Sequence, residues 1–411
     1  MQKFLARQPI FNANRVVYGY ELLFRSGPEN YFNSSQPEVA CASTTDRLFL
    51  FGIEHLTQGR RAFINCTREF LIRDYAVMLP SDRVVLEILE SVRADNEVLS
   101  ACRRLKQAGY LLALDDFIDS PDSRKLLPLA DFLKVDVLAT TREEQLRLAR
   151  DFSSQNIRLL AEKVETYEDF ERAGDLGYSY FQGYFFSRPQ MLSHHDIPSH
   201  KLAYLRVPQA ANQSPIEMNE IAERIKTETS LSYRLLRYLN SAAFFLALEV
   251  RSISHALTLL GERGVRRWVS LVTIACMADE KPQELVTLPL IRARFCELLA
   301  PVAGVAEFAN DLFLRGLVSA IDAILDMKME DVLKELALRE EIRQALLGAQ
   351  NILRRVFQIV LLYEAGAWDE LNHAAAALQI EEDAIPPMFF QSVDWARSIL
   401  TGQPVDETEP S

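Results

Sequence analysis

Asp115 and Asp116 stand side by side directly after the apolar run from Leu111 to Leu114. Adjacent like charges repel and resist joint ionisation, so either a cation neutralises them or solvent screens them. The same texture recurs along the first half of the chain. Glu21 and Arg25 fall at the end of "RVVYGYELLFR" (15–25) and Asn65 in "RAFINC" (61–66). Glu87 and Glu90 bracket the end of "RVVLEIL" (83–89), and Lys134 and Asp136 lie in "DFLKVDV" (131–137). Glu162 and Glu165 flank the end of "IRLLAEKV" (157–164), and Gln182 lies in "YSYFQGYFF" (178–186). Carboxylates with carboxamides, and no His or Cys, make a hard-oxygen set suited to Mg²⁺ or Mn²⁺ rather than zinc. Two such cations would neutralise Asp115 and Asp116 and let one carboxylate bridge them. Any one of these acids, alone, reads as a solvated loop charge. From spacing, a metal site and a set of exposed charges both stand.

The elements that must position these residues are short β-rich runs, seven with "LLALDDF" (111–117), separated by helical stretches. One such stretch, "DNEVLSACRRLKQAGY", has Asp95 placed to cap its start and Gly109 to end it. Strand and helix in regular alternation predict an α/β fold with a parallel sheet, and this many repeats point to a TIM-like barrel. In a barrel of parallel strands the C-terminal strand ends share one rim, so the polar residues above converge. No GxGxxG or GxxxxGK[ST] loop follows the first strand, which counts against an open nucleotide-binding sheet.

Pro, Ser, His and Asn accumulate between about 190 and 214, and beyond Pro215 the apolar residues fall at helical spacing. The chain therefore reads as a barrel over 1–200, an all-α helical domain over 201–400, and a disordered polar tail over 401–411. The segment "LKELALREEIRQALLGAQNILRRVF" reads as one long, charge-laced helix. A net charge of −12 argues against nucleic-acid or anionic-membrane partners, both of which need basic patches. The five cysteines form no CxxC pair and read as reduced, mostly buried thiols. With no apolar leader at the N-terminus and no run long enough to span a membrane, the expected location is cytoplasmic.

Over about residues 1–200 the chain resembles the EAL domain of cyclic-di-GMP signalling. The name motif appears as "ELLFR", Glu21 to Arg25, preceded by "RQPIF" with Gln8 and Pro9. "FINCT", "LEILE", "DDF", "KVD", "AEKVE" and "QGY" follow in the family's order. The resemblance implies a phosphodiesterase that opens cyclic di-GMP to pGpG. It implies Glu21, Asn65, Glu87 and Asp115 as ligands of one metal, with Asp115 and Asp116 serving a second. It further implies Lys134 on the attacking water or a phosphate oxygen, Glu165 as general base, and Gln8, Arg25 and Gln182 as contacts to ligand or water. Glu90 would anchor the loop after Asp116. That loop departs from the family: "IDSPDSRKLL" replaces the usual Gly-Thr-Gly-Tyr-Ser-Ser. The departure leaves a weak or inactive barrel, acting as a cyclic-di-GMP receptor or an adaptor, as the alternative. It also touches the region where barrels of this family pair, so a homodimer is among the expectations.

"LSYRLLRYLNSAAF", "SISHALTLLG" and "VRRWVSLV" resemble the HDOD module, a helical relative of HD phosphohydrolases. Ser319 and Ala320 stand where those enzymes carry a metal-binding His-Asp doublet. The resemblance thus implies a non-catalytic module that binds another signalling protein. The only literal doublet, His195-Asp196, falls in the linker, and His255 reads as a packed or capping residue.

Overall fold

The computed structural model describes residues 3–26, 52–152, 157–187, 221, 253–278, 281–336 and 338–401. Eight strands close into a barrel: β1 (Lys3–Asn12), β2 (Val17–Ser26), β3 (Arg61–Cys66), β4 (Val84–Ile88), β5 (Leu111–Leu114), β6 (Phe132–Asp136), β7 (Arg158–Glu162) and β8 (Tyr180–Gln182). The seven strands expected from the alternation are β2 to β8. β1 is an additional strand and runs antiparallel to both neighbours, β2 and β8. The remaining pairs, β2 to β8, are parallel. β1 and β2 are joined by a tight turn in which the Asn12 side chain accepts from Asn14 and Val16 backbone N–H at 3.0 Å. A hairpin needs no crossover helix, so it breaks the alternation that marks the other strands.

Period 2 explains how this barrel builds a rim. Ile10, Phe63, Val85, Ala113, Phe132 and Leu160 pack together as a buried cluster. Two positions further along each parallel strand, on the same face, come Asn65, Glu87, Asp115, Lys134 and Glu162. Gln182 follows Tyr180, which packs against the same cluster. β1 runs the other way, so its polar residue, Gln8, comes two positions before Ile10. Each of these strands therefore plugs the barrel with one apolar residue and presents one polar residue above the plug.

The helices between strands are α1 (Ile53–Thr57), α2 (Arg68–Ile72), α3 (Asn96–Gln107), α4 (Ser123–Leu126), α5 (Arg142–Phe152) and α6 (Tyr167–Asp175). Asp95 caps α3, accepting from Glu97 and Val98 N–H, and Gly109 follows it with φ +90°. Cys66, Cys102 and Cys296 are buried and form no disulfide. Cys41 lies outside the described residues, as does the side chain of Cys276.

The chain divides into two compact units, residues 1–186 with 363–368, and residues 187–362 with 369–411. Every regular element described after residue 187 is helical: α7 (Ile253–Met277, broken at Gly261), α8 (Glu284–Val302), α9 (Ala309–Leu317), α10 (Ile321–Leu325), α11 (Met329–Glu335), α12 (Glu340–Leu346), α13 (Ile352–Ala365), α14 (Trp368–Ala377) and α15 (Ile385–Thr401). The single long helix expected over 333–357 is corrected to parts of α11, α12 and α13. Gly348 takes φ +100° after α12, and the Asn351 side chain accepts from Arg354 N–H at the start of α13. The segment "LSYRLLRYLNSAAF", the pair His195-Asp196 and the tail 402–411 lie outside the described residues, as does the side chain of His255. Among the described residues no helix is long and apolar enough to cross a membrane.

Gly183, directly after β8, ties the rim to its neighbour. It takes φ +145°, and a Cβ there would lie 2.2 Å from the Val164 carbonyl oxygen. Gly183→Ala is therefore expected to cost about 3 kcal/mol or more in urea unfolding. A loss within experimental error would contradict this packing.

Candidate active site

The rim is organised around Lys134, on β6 and only 1% exposed. Its Nζ lies 2.7 Å from Asp115 Oδ1, 2.8 Å from Glu87 Oε1, 2.9 Å from Glu162 Oε1 and 3.4 Å from Glu21 Oε2. Carboxylates from β2, β4, β7 and the end of β5 thus meet at one ammonium. Asn65 Nδ2 donates to Glu21 Oε1 at 3.1 Å. Gln182 Nε2 donates to Glu21 Oε2 at 2.6 Å and to Gln8 Oε1 at 3.0 Å. The two glutamines and Asn65 therefore hold Glu21 in place.

Burial alone would discharge Lys134, but Glu162, Glu21, Glu87 and Asp115 overcome it and hold the ammonium charged. Burial, reinforced by Glu21, pushes the fully buried Glu87 carboxyl well above the usual carboxylate range. Glu162 is pushed up to about 8, chiefly by burial and with help from Asp115 and Glu21, against the pull of Lys134. One ammonium does not balance four carboxylates, so part of the set holds protons near neutral pH.

Asp115 and Asp116 are separated by backbone geometry. Asp115 N–H donates to the Ile88 carbonyl at 3.0 Å, continuing the β4–β5 pairing and aiming its side chain at Lys134. Asp116 adopts a left-handed φ of +40°, and Phe117 N–H returns to the Lys134 carbonyl at 2.9 Å. Burial and then Asp115 raise the Asp116 carboxyl, opposed by Lys163 and Lys134.

The loop beyond is ordered without the family's glycines. Asp119 takes a two-pronged bond from Arg124 at 2.6 and 2.9 Å and a second cation, Arg147, at 3.3 Å. Ser120 and Ser123 bond each other, and Ser123 Oγ donates to the Ile118 carbonyl at 2.6 Å. Asp122 accepts from Ala94 N–H at 3.1 Å, tying the loop to the segment after β4. Phe117 is buried against Phe152, while Ile118 is 72% exposed.

The remaining candidates make no ion pair with Lys134. Glu165 is exposed and is not among the four carboxylates on Lys134. Glu90 is also exposed, within electrostatic reach of Asp116. The Arg25 side chain lies outside the described residues. Asp136 pairs with Lys163 and accepts from Leu138 and Ala139 N–H, which keeps its carboxyl low despite burial. Glu162 was placed on the rim by the sequence but given no role; its signal is the phase it shares with Leu160, one of the plug residues.

A divalent cation can be tested against the donors present. Asn65 Oδ1, Gln182 Oε1 and Glu87 Oε2 are buried and accept no hydrogen bond. Glu87 Oε1 is met by Lys134 at 2.8 Å. Buried oxygens without donors, in a set with surplus negative charge, fit a hard cation. Among the described residues no three His, Cys, Asp or Glu side chains stand in metal-holding geometry, because the carboxylates close on Lys134.

Comparison with known proteins shows the family of the chain. An EAL domain model matches residues 55–189, and an HDOD domain model matches residues 197–359. The chain is 33% identical over 409 residues to the uncharacterized protein YuxH of Bacillus subtilis, spanning 97% of this chain and 99% of that one. It is 32% identical over 405 residues to the cyclic di-GMP phosphodiesterase CdgJ of Vibrio cholerae, spanning 96% of this chain and 93% of that one. The chain belongs to the EAL–HDOD family. A solved structure of Klebsiella pneumoniae BlrP1 with calcium and cyclic di-GMP is 24% identical, with a TM-score of 0.38, over 46% of this chain and 56% of that one.

The charge balance around Lys134 has a measurable consequence in the metal-free EAL–HDOD protein. The folded-state value of Glu162 lies above its unfolded one, so the folded protein holds more protons between about pH 4.5 and 8. This group's contribution to stability therefore falls as pH rises through that interval. Lys134→Met leaves four carboxylates without their cation and is expected to cost about 3–5 kcal/mol at pH 8 and less at pH 5. Urea unfolding at both pH values reads this; an equal cost at both would contradict the charge balance.

Proposed function

We propose that the barrel hydrolyses cyclic di-GMP to pGpG with the help of bound Mg²⁺ or Mn²⁺. The observation that carries this reading is the set of buried oxygens without donors, gathered around Lys134 with surplus negative charge. The near full-length identity to CdgJ supplies the substrate class.

Glu21, Asn65, Glu87 and Asp115 would hold one cation, and Asp115 with Asp116 a second. Bound there, divalent cations lower the pKa of water and stabilise charge on the attacking and leaving oxygens. The chain's own groups do the rest. Once the carboxylates have another counter-ion, Lys134 is free to donate to a phosphate oxygen. Glu165 takes the proton of the attacking water as its oxygen bonds to phosphorus and the bond to the ribose oxygen breaks. The departing oxygen takes up a proton from solvent. Gln8, Gln182 and Arg25 orient the dinucleotide. Glu90 acts on the Asp116 loop.

Binding without turnover is the second reading, and the loop favours it. Its Asp119, Ser120 and Asp122 bonds fix a conformation that no glycine relaxes. The HDOD unit serves in both readings as a module for another signalling protein.

Incubation of the full chain with cyclic di-GMP and Mn²⁺ is expected to yield pGpG, and Glu21→Ala to slow it at least about 100-fold. Tight binding with no pGpG would replace the enzyme by a receptor. Neither binding nor product would remove the barrel from cyclic-di-GMP chemistry.

A further inference from the structure

The helical unit contains a buried cation that no described acid balances. Arg315, near the C-terminal end of α9, is 8% exposed, and its Nε is buried without a hydrogen-bond partner. No carboxylate among the described residues forms an ion pair with it. Its guanidinium carbon sits over the Phe357 ring, 3.9 Å from the centroid. Arg292, also buried, sits over the same ring at 5.8 Å and donates to Ser319 Oγ at 3.3 Å.

The backbone forces these two arginines together. Gly316 is packed so closely on α8 that a Cβ would lie 2.6 Å from Ala293 N and from the Arg292 carbonyl. Arg292 and the residue before Gly316 are thereby neighbours. Arg354, on α13, adds a third positive charge within electrostatic reach. Burial, then repulsion from Arg292 and Arg354, pull Arg315 down to about 10, with Cys296 acting in the opposite direction. The carbonyl end of α9 and the face of Phe357 favour a cation there. Neither occupies the Nε donor. Asp322 lies within electrostatic reach of Arg292.

We infer that this cluster is an anion-binding site, centred on Arg315, that takes the phosphate group of a small molecule. The donors suit that chemistry. A guanidinium offers a planar fork to two oxygens at once, and several cations together favour a dianionic phosphate over a single carboxylate. Ser319 adds a hydroxyl. The polarity is the reverse of a metal site, at the position where the sequence sets Ser319 and Ala320 against a metal-binding doublet. This inference uses only residues of the helical unit and does not depend on activity in the barrel.

The test uses the full chain in EDTA, so that phosphate cannot act through a divalent cation. Melting temperature is followed against inorganic phosphate and against guanosine monophosphate, with chloride at matched ionic strength as the control. The expected result is a rise of several degrees for the wild type at millimolar phosphate. Arg315→Met should melt at or above the wild type without ligand, since a burdensome charge is gone, and should not respond to phosphate. A response to inorganic phosphate means that the free ion suffices; a response to the nucleotide alone means that the nucleoside is read as well. Arg354→Gln keeps the test decisive if Arg315→Met does not fold: its apparent affinity should be at least about tenfold weaker. No rise beyond chloride in the wild type overturns the proposal. So does an unchanged response in the folded variants.

Discussion

The barrel rim depends on one buried ammonium held by four carboxylates. Lys134 reaches Glu21, Glu87, Asp115 and Glu162 within 2.7 to 3.4 Å. Burying that many acids without a cation would cost several kcal/mol for each ionised group. The fold meets this with one internal cation, with burial that favours the neutral form of Glu87 and Glu162, and with amide donors from Asn65 and Gln182 to Glu21. The compensation is incomplete. Oxygens that lack donors and charges that lack counter-ions are what a divalent cation requires.

The geometry beneath the rim follows from strand period. Each parallel strand from β3 to β8 sets a polar residue two positions beyond a plug residue, and the closed sheet brings those positions to one level. A shift of register by one residue would turn both outward. The aromatic plug and the charged rim are consequently one design constraint: Phe132 and Lys134 share a face of β6, as Phe63 and Asn65 share a face of β3.

Much of this was legible in the chain itself. The alternation of strands and helices identified the barrel, and acids at successive strand ends identified the rim. β1 was not legible from alternation, because a hairpin return leaves no intervening helix. Spacing gives Lys134 as one polar residue among many, and the resemblance gives it to the attacking water or a phosphate oxygen; its central place among four carboxylates depends on strands from distant parts of the chain. Glu162 and Glu165 both fall at the end of β7, and only the inward phase of Leu160 and Glu162 separates them. The loop after Asp116 read as the loss of flexible glycines. In the structure Asp119, Ser120 and Asp122 supply bonds that fix it instead. In the helical half, charge spacing suggested one long helix, but Gly348 and Asn351 divide it. The pairing of Arg292 with Arg315 depends on the contact at Gly316, which no periodicity reveals.

The central claim is that the oxygens around Lys134 form a site for divalent cations. Calorimetric titration of the full chain with Mn²⁺, beside Glu87→Gln, tests it most directly. The account predicts saturable binding by the wild type and at least about tenfold weaker binding by the variant, whose carboxamide offers one neutral oxygen in place of a carboxylate. Equal binding by both, or none by the wild type, would contradict it.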